Sequence, residues 1–319
     1  MGVTGQVAPD RERHHGRAAR AWDRLPVPTR TTMRRLAIAS LAANIVLVIT
    51  GGAVRLTGSG LGCPTWPRCT SQSFVAHDAL GVNGFIEFGN RLLTIVLAVI
   101  ALATWLVAMR LQPSRPSVRR LATVLLLGIP AQAVIGGISV LTDLNPWVVS
   151  FHLLCSLALI SVAVVLLRRV DEEDRQPRST VPPAVVMLVR GVYVVTWLVL
   201  YVGTVVTGSG PHAGSIKAPR NGLSPAAVTQ LHADLVFLLL GLTLGTWLAL
   251  RATGAPERAI RAARWLLALE LAQGVVGVTQ YATGLPIGLV AVHMLGAALI
   301  SATATWLVLG TRDRGLQRA

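Results

Sequence analysis

Val149-Ser150-Phe151-His152-Leu153-Leu154 and Val290-Ala291-Val292-His293-Met294-Leu295 read alike at an offset of 141 residues. Upstream of each, at the same offset of 141, stand Ala131-Gln132-Ala133-Val134-Ile135-Gly136-Gly137 and Ala272-Gln273-Gly274-Val275-Val276-Gly277-Val278. A third pair, Thr57-Gly58-Ser59-Gly60 and Thr207-Gly208-Ser209-Gly210, closes two earlier apolar runs. An apolar run of 18 or more residues is long enough to cross a bilayer core of about 30 Å. Eight are read, at roughly 35–55, 85–109, 120–141, 148–167, 185–207, 227–250, 263–282 and 287–309. Four spans separate each residue from its repeat mate, so the halves share one orientation. Such halves are related by an axis along the membrane normal. The expected fold is all-α: a polytopic membrane protein whose eight transmembrane helices form two repeated four-helix bundles. The glycines of the repeat (Gly136, Gly137, Gly274, Gly277) are read as close helix-packing contacts.

Composition agrees. The 319 residues are 53% hydrophobic and 13% charged, with mean hydropathy +0.60. A soluble chain carries about 25% charged residues. The net charge of +15 invites a nucleic-acid reading, but its placement argues against one. Of 29 Lys and Arg, eight lie in the tail through Arg35, four in 110–120, four in 168–178, four in 251–264 and three from Arg312 onward. The alternate loops hold only Arg55 and Arg68, or Lys217 and Arg220. Basic residues on every second loop orient helices, with both termini in the cytoplasm. Residues 1–33 are expected to be a disordered cytoplasmic tail and not a signal peptide. Residues 34–168 form the first half, 169–184 a cytoplasmic linker, 185–310 the second half and 311–319 a cytoplasmic tail.

Seven histidines are present. His14 and His15 fall in the tail and are read as inert. His152, His232 and His293 lie about one turn inside the outer ends of spans four, six and eight. A polar ionisable group within a membrane helix is costly and usually functional. The first-half mate of His232, at an offset of 142, is Asn90. Each half thus presents a pair: Asn90 with His152, and His232 with His293. Two imidazoles across a helix bundle suit the axial positions of one haem iron. Zinc would ask for a third or fourth ligand, and Asp234, two residues from His232, faces away. The second half can close both axial positions, which suits electron transfer. The first half offers only His152, leaving one coordination position open. Glu87 lies one turn before Asn90 with Arg91 beside it. That carboxylate reads either as a proton-handling group near an open iron or as a plain Glu87–Arg91 ion pair.

Cys63 and Cys69 frame the outer loop Cys63-Pro64-Thr65-Trp66-Pro67-Arg68-Cys69, on the side where disulfides survive. They read either as a structural bridge or as a pair poised for thiol exchange. Cys155 reads as a small buried apolar residue. His77 and His212 lie in the two long outer loops. Surface histidines are the plain reading; a contact with haem propionates or iron is the other.

Gly51-Gly52-Ala53-Val54-Arg55-Leu56-Thr57-Gly58-Ser59-Gly60-Leu61 with its Trp-Pro cysteine loop, Glu87-Phe88-Gly89-Asn90-Arg91, and the His152, His232 and His293 helices resemble haem A synthase, over about residues 35–310. The bias of 28 Arg to one Lys hints at a GC-rich bacterial, actinobacterial-like source. The resemblance implies an oxidoreductase of the cell membrane. It turns haem O into haem A for cytochrome oxidase by oxidising a ring methyl to a formyl group, with successive hydroxylations as the usual proposal. It implies haem b held by the second half, with His232 and His293 on its iron. The substrate, haem O, occupies the first half, with its iron on His152. Glu87 is implicated in catalysis, with Arg91 beside it, and the Cys63–Cys69 disulfide in haem transfer or redox input. The implied partners are haem O synthase as substrate donor, quinol or another reductant, and the cytochrome oxidase assembly machinery. A homo-oligomer is compatible with it, and no nucleic acid is expected. The family pattern has Glu-x-x-His where this chain has Asn90. Its substrate iron is then five-coordinate, or takes its sixth ligand from another group such as His77.

Two other classes use the same residues: a non-enzymatic di-haem cytochrome b passing electrons from quinol, and a haem carrier or assembly factor. A carrier of electrons would favour two closed haems, which Asn90 opposes. Transport would call for broken helices and midplane charges, and the spans are read as having neither.

Overall fold

A computed structural model describes residues 27–316. Most of the expected tail, with His14 and His15, falls on 1–26, and residues 317–319 also lie outside the described residues. Eight long helices follow: α1 Arg30–Leu56, α2 Gly81–Arg110, α3 Pro116–Leu141, α4 Pro146–Asp171, α5 Pro183–Ser209, α6 Pro225–Ala252, α7 Glu257–Ala282 and α8 Ile287–Gly310. A short 3-10 turn, Asp78–Leu80, precedes α2. Two dipeptide strands, Arg178–Ser179 and Arg312–Asp313, pair antiparallel on the side of the basic loops.

Most of the helices outrun the apolar runs that announce them, because their first turns are built from polar and proline residues. The Thr29 side chain accepts from the N–H of Thr32 and starts α1 at Arg30, inside the stretch assigned to the tail. Pro116, Pro146, Pro183 and Pro225 occupy first-turn positions, where a fixed φ and a missing N–H cost nothing. Seven of the eight helices are long and apolar enough to cross a membrane. The exception is α7, whose 26 residues match its neighbours in length. Three arginines near its start, and then Glu270, Gln273 and Gln280, dilute its hydropathy.

Helix contacts close two rings. α1, α2, α3 and α4 pack in a cycle, and α5, α6, α7 and α8 repeat it. Across each ring, α2 stands opposite α4 and α6 opposite α8. α1 and α4 of one bundle meet α5 and α8 of the other. Val48, Leu157, Ile160, Leu200 and Ala298 form the apolar seam between them. Polar groups pin it: the Ser161 and Ser301 hydroxyls lie 3.1 Å apart, and Ser150 meets Thr204. Gly52 of α1 makes room for Met294 of α8, since a Cβ there would fall 2.7 Å from the methionine methyl. Around the outside, Val99, Leu127, Phe237 and Val278 are exposed. So continuous an apolar surface is the solvent-facing side of a protein dissolved in lipid.

The loops at the end away from the basic side lock the halves together. Arg55 donates to the carbonyls of His212 (2.6 Å) and Thr207 (2.9 Å). A cation there meets the negative end of the α5 dipole. The Gly60 N–H bonds the Gly214 carbonyl at 2.8 Å. Gly214 sits at φ 95°, a conformation that favours glycine. On the basic side, Arg30 bonds Asp171 at 2.9 Å and Arg168 bonds Glu172 at 2.7 Å.

Candidate functional site

His232 is the seventh residue after Pro225 and His293 the sixth after Ile287, from helices that enter the same side of the second bundle. Both therefore lie about 10 Å along their helices, nearer two turns in than one. Their ring centres are 6.5 Å apart, with planes inclined at 73°. With about 2 Å between a metal and each imidazole nitrogen, and roughly 1 Å more to each ring centre, two axial rings sit about 6 Å apart. The observed pair matches that span. Among the described residues, no three of His, Cys, Asp and Glu are grouped to hold a bare metal ion. A two-imidazole site lacking a third ligand suits an iron whose other ligands come with a porphyrin.

Each ring is seated by a glycine of the helix before it. A Cβ on Gly203 (α5) would lie 3.1 Å from His232 Cε1, and one on Gly277 (α7) 3.5 Å from His293 Cε1. The first bundle repeats the device: a Cβ on Gly136 (α3) would lie 3.2 Å from His152 Cε1, and one on Gly51 (α1) 3.9 Å from Asn90 Nδ2. This corrects the packing role expected of these glycines. Gly136 and Gly277 leave room for imidazoles, Gly137 leaves room for the Trp66 ring, and Gly274 has nothing within 4 Å. The Nδ1 atoms of His152, His232 and His293 are buried without an aligned hydrogen bond, although the Val199 carbonyl is close to His232. Asp234 is exposed and bonded to Gln230 at 2.7 Å, away from the pair.

In the first bundle Asn90 faces α1, where its Oδ1 accepts from Thr50 Oγ1 at 2.8 Å. Its amide is thereby fixed in place of a second imidazole. Glu87 is 5% exposed and has both oxygens engaged. Oε2 accepts from the Cys63 N–H at 2.7 Å, and Oε1 takes Arg91 Nη2 at 2.6 Å. Arg91 also donates to the carbonyls of Cys63 (3.3 Å), Thr65 (3.1 Å) and Arg68 (3.3 Å). The ion pair is thus present, and it does more than sit on a surface. It binds the cysteine loop down onto α2. Cys63 and Cys69 are joined in a disulfide and fully buried. From this loop Trp66 reaches Gly137, next to the glycine that seats His152. Loop, carboxylate, guanidinium and His152 therefore belong to one end of one bundle.

Three expectations need correction. Cys155 is a free thiol of intermediate exposure, not a buried one. His212 is half-buried and not a plain surface group: its ring bonds the Leu285 carbonyl at 2.8 Å and ties two loops together, whereas His77 is exposed, in line with the plain reading, and precedes the 3-10 turn. The spans do hold a midplane ionisable group: Glu270, 3% exposed, near the centre of α7. It was legible as a single acidic letter inside an otherwise uncharged run.

The fold gives the class first: a multi-pass helical membrane protein with two imidazoles meeting inside one of its bundles. Within that class, the chain belongs to the family of COX15-CtaA cytochrome oxidase assembly proteins, whose model matches residues 34–305. Proteins named "Heme A synthase" are similar to it along most of both chains. That of Shouchella clausii is 27% identical over 296 residues, covering 87% of this chain and 96% of its own. That of Bradyrhizobium sp. is 28% identical, covering 86% and 90%. That of Symbiobacterium thermophilum is 26% identical, covering 76% and 83%.

Proposed function

We propose that this chain is a haem A synthase of the bacterial cell membrane, with both termini cytoplasmic, that oxidises a methyl group of haem O to the formyl group of haem A. The observation that carries the reading is the inequality of two otherwise matching bundles. One has an imidazole pair at axial spacing. The other has His152 alone, with Asn90 held away on Thr50. The closed pair suits a resident haem b, which when bound supplies an iron that exchanges single electrons. His232 and His293 would hold it from α6 and α8, and Gly203 and Gly277 would keep the two rings upright.

In the first bundle His152 binds the iron of the substrate, and Asn90 leaves the opposite side accessible. Glu87 and Arg91 act here as positioning residues. They hold the Cys63–Cys69 loop and Trp66 over the His152 end, which shields the reacting methyl from bulk water. A cytochrome that only relays electrons would gain nothing from an open position under a clamped loop. The apolar outer wall suits a lipid-soluble substrate handed over by haem O synthase, and quinol is a fitting reductant.

Co-expression with a source of haem O, followed by pigment extraction and chromatography, tests this. The wild type is expected to yield haem A. His152→Ala, which removes the iron ligand, and Glu87→Ala, which frees the loop, are expected to lower the yield by about a hundredfold, the low end of what one precisely placed active-site group contributes. Haem O alone from the wild type would remove the enzymatic reading.

A further inference from the structure

Glu270 is a buried acid of the second bundle that the haem ligation leaves unused. Thirteen residues separate it from Glu257 and twelve from Ala282, which puts it near the bilayer midplane. Its Oε1 accepts from Thr243 Oγ1 of α6 at 2.9 Å. Its Oε2 is buried with no hydrogen-bond partner among the described residues, and so are Thr246 Oγ1 and Trp247 Nε1 further along α6. Among the described residues, no charged group balances the carboxyl. A bare carboxyl inside a membrane is costly and points to a role.

The repeat supplies the control. At offsets of 141 and 142, the mates of Glu270 and Thr243 are Ile129 and Ala101. Those two pack together with Leu97 in an apolar cluster. The α2–α3 contact is therefore built from hydrocarbon in the first half, and the matching α6–α7 contact carries an acid in the second. Helix packing alone gives no reason for the difference. The acid occurs only in the half with the closed imidazole pair.

Its position relates it to that pair. Glu270, Gln273 and Gly277 share one face of α7, at spacings of three and seven residues. A Cβ on Gly277 would meet the His293 ring at 3.5 Å, and Gln273 packs onto Gly296, one turn along α8 from His293. Glu270 thus lies about 10 Å below the imidazoles, in an interior where a unit charge is still felt at that range. The helices packed on α7 are α6 and α8. Their other titratable groups are Asp234, which is exposed beside Gln230, and Arg251, which stacks on Trp247 at 5.4 Å near the cytoplasmic end. The interior also holds His232 and His293 themselves and the half-buried Tyr193 of α5, which packs on the same core.

We infer that Glu270 is the proton partner of the iron held by His232 and His293. When that ferric iron accepts one electron from a quinol-class reductant, the Glu270 carboxylate takes one proton from cytoplasmic water. Iron becomes ferrous, the carboxylate becomes a carboxylic acid, and the net charge of the bundle interior is unchanged. Oxidation releases the proton. Thr243 and Thr246 lead from the carboxyl towards the cytoplasmic end of α6. The inference rests on the haem assignment proposed above.

Redox titration of the purified full-length protein at several pH values tests it. The wild-type midpoint is expected to fall with rising pH, by up to about 59 mV for each tenfold drop in proton concentration. Glu270→Gln is expected to keep its haem and lose at least half of that slope. The paired change Thr243→Ala with Glu270→Ile copies the apolar contact of the first half, so it should fold, and it should lose the slope too. Wild-type slopes in haem-replete variants would overturn the proton role and leave the ligation intact. A wild type with no haem on these histidines would overturn both.

Discussion

His293→Ala is expected to purify as a folded membrane protein that has lost its haem b, with His232→Ala behaving alike. Removing a ligand's supporting partner already costs about 10–100-fold in metal affinity, and removing the ligand costs no less. The cavity left by one imidazole is small against a bundle core built on Val189, Val192, Leu250, Leu266 and Leu307. Two controls sharpen the result. Asp234→Ala lies two residues from His232 but points outward, and it should retain full haem. His152→Ala belongs to the other bundle and should retain haem b while losing haem A formation. Haem content per protein, read optically after purification, distinguishes these cases.

Gly203→Leu should also empty the site, although glycine has no ligand atom. A Cβ at position 203 meets the His232 ring at 3.1 Å, and the rest of a leucine would drive the ring off its axis. Overfilling a packed core costs about 1–3 kcal/mol, roughly five- to hundredfold in retention. Gly277→Leu should act on His293 in the same sense but less, given its 3.5 Å approach. Gly274→Leu is the matched control, one turn away on the same helix with nothing within 4 Å. If all three variants kept their haem equally, the glycines would have no seating role. In the first bundle Gly136→Leu should crowd His152 and appear as lost haem A, with haem b unchanged.

Much of this was readable from residues alone, because the chain carries its own comparison. Eight apolar runs set the helix count, and the recurrence of His152 at His293 and of Gln132 at Gln273 set the parallel halves and the matching depths. It also exposed Asn90 as the one missing imidazole. The readings that failed did so for physical reasons. Small residues in membrane helices usually mark helix contacts, and nothing in one helix says that its neighbour will aim a ring at the gap. The double engagement of Glu87, by an i, i+4 arginine and by a loop N–H 24 residues away, joins partners of different sequence distance. Only the first was legible. Cys155 reads as core until the helix rotation is known. Glu270 stood in plain view within Leu269-Glu270-Leu271 and was averaged away by the apolar run around it. Its repeat mate, Ile129, makes it conspicuous.

A resident haem in the second bundle requires His232 and His293 to reach one iron from opposite sides. Pulsed electron paramagnetic resonance on the ferric protein, purified from cells without haem O and with nitrogen-15 in its histidines, addresses this directly. The prediction is a single low-spin iron coupled to two imidazole nitrogens of equal strength, with the signal lost in His232→Ala and in His293→Ala. A high-spin iron coupled to one imidazole, or a two-imidazole signal that survives either substitution, would contradict it.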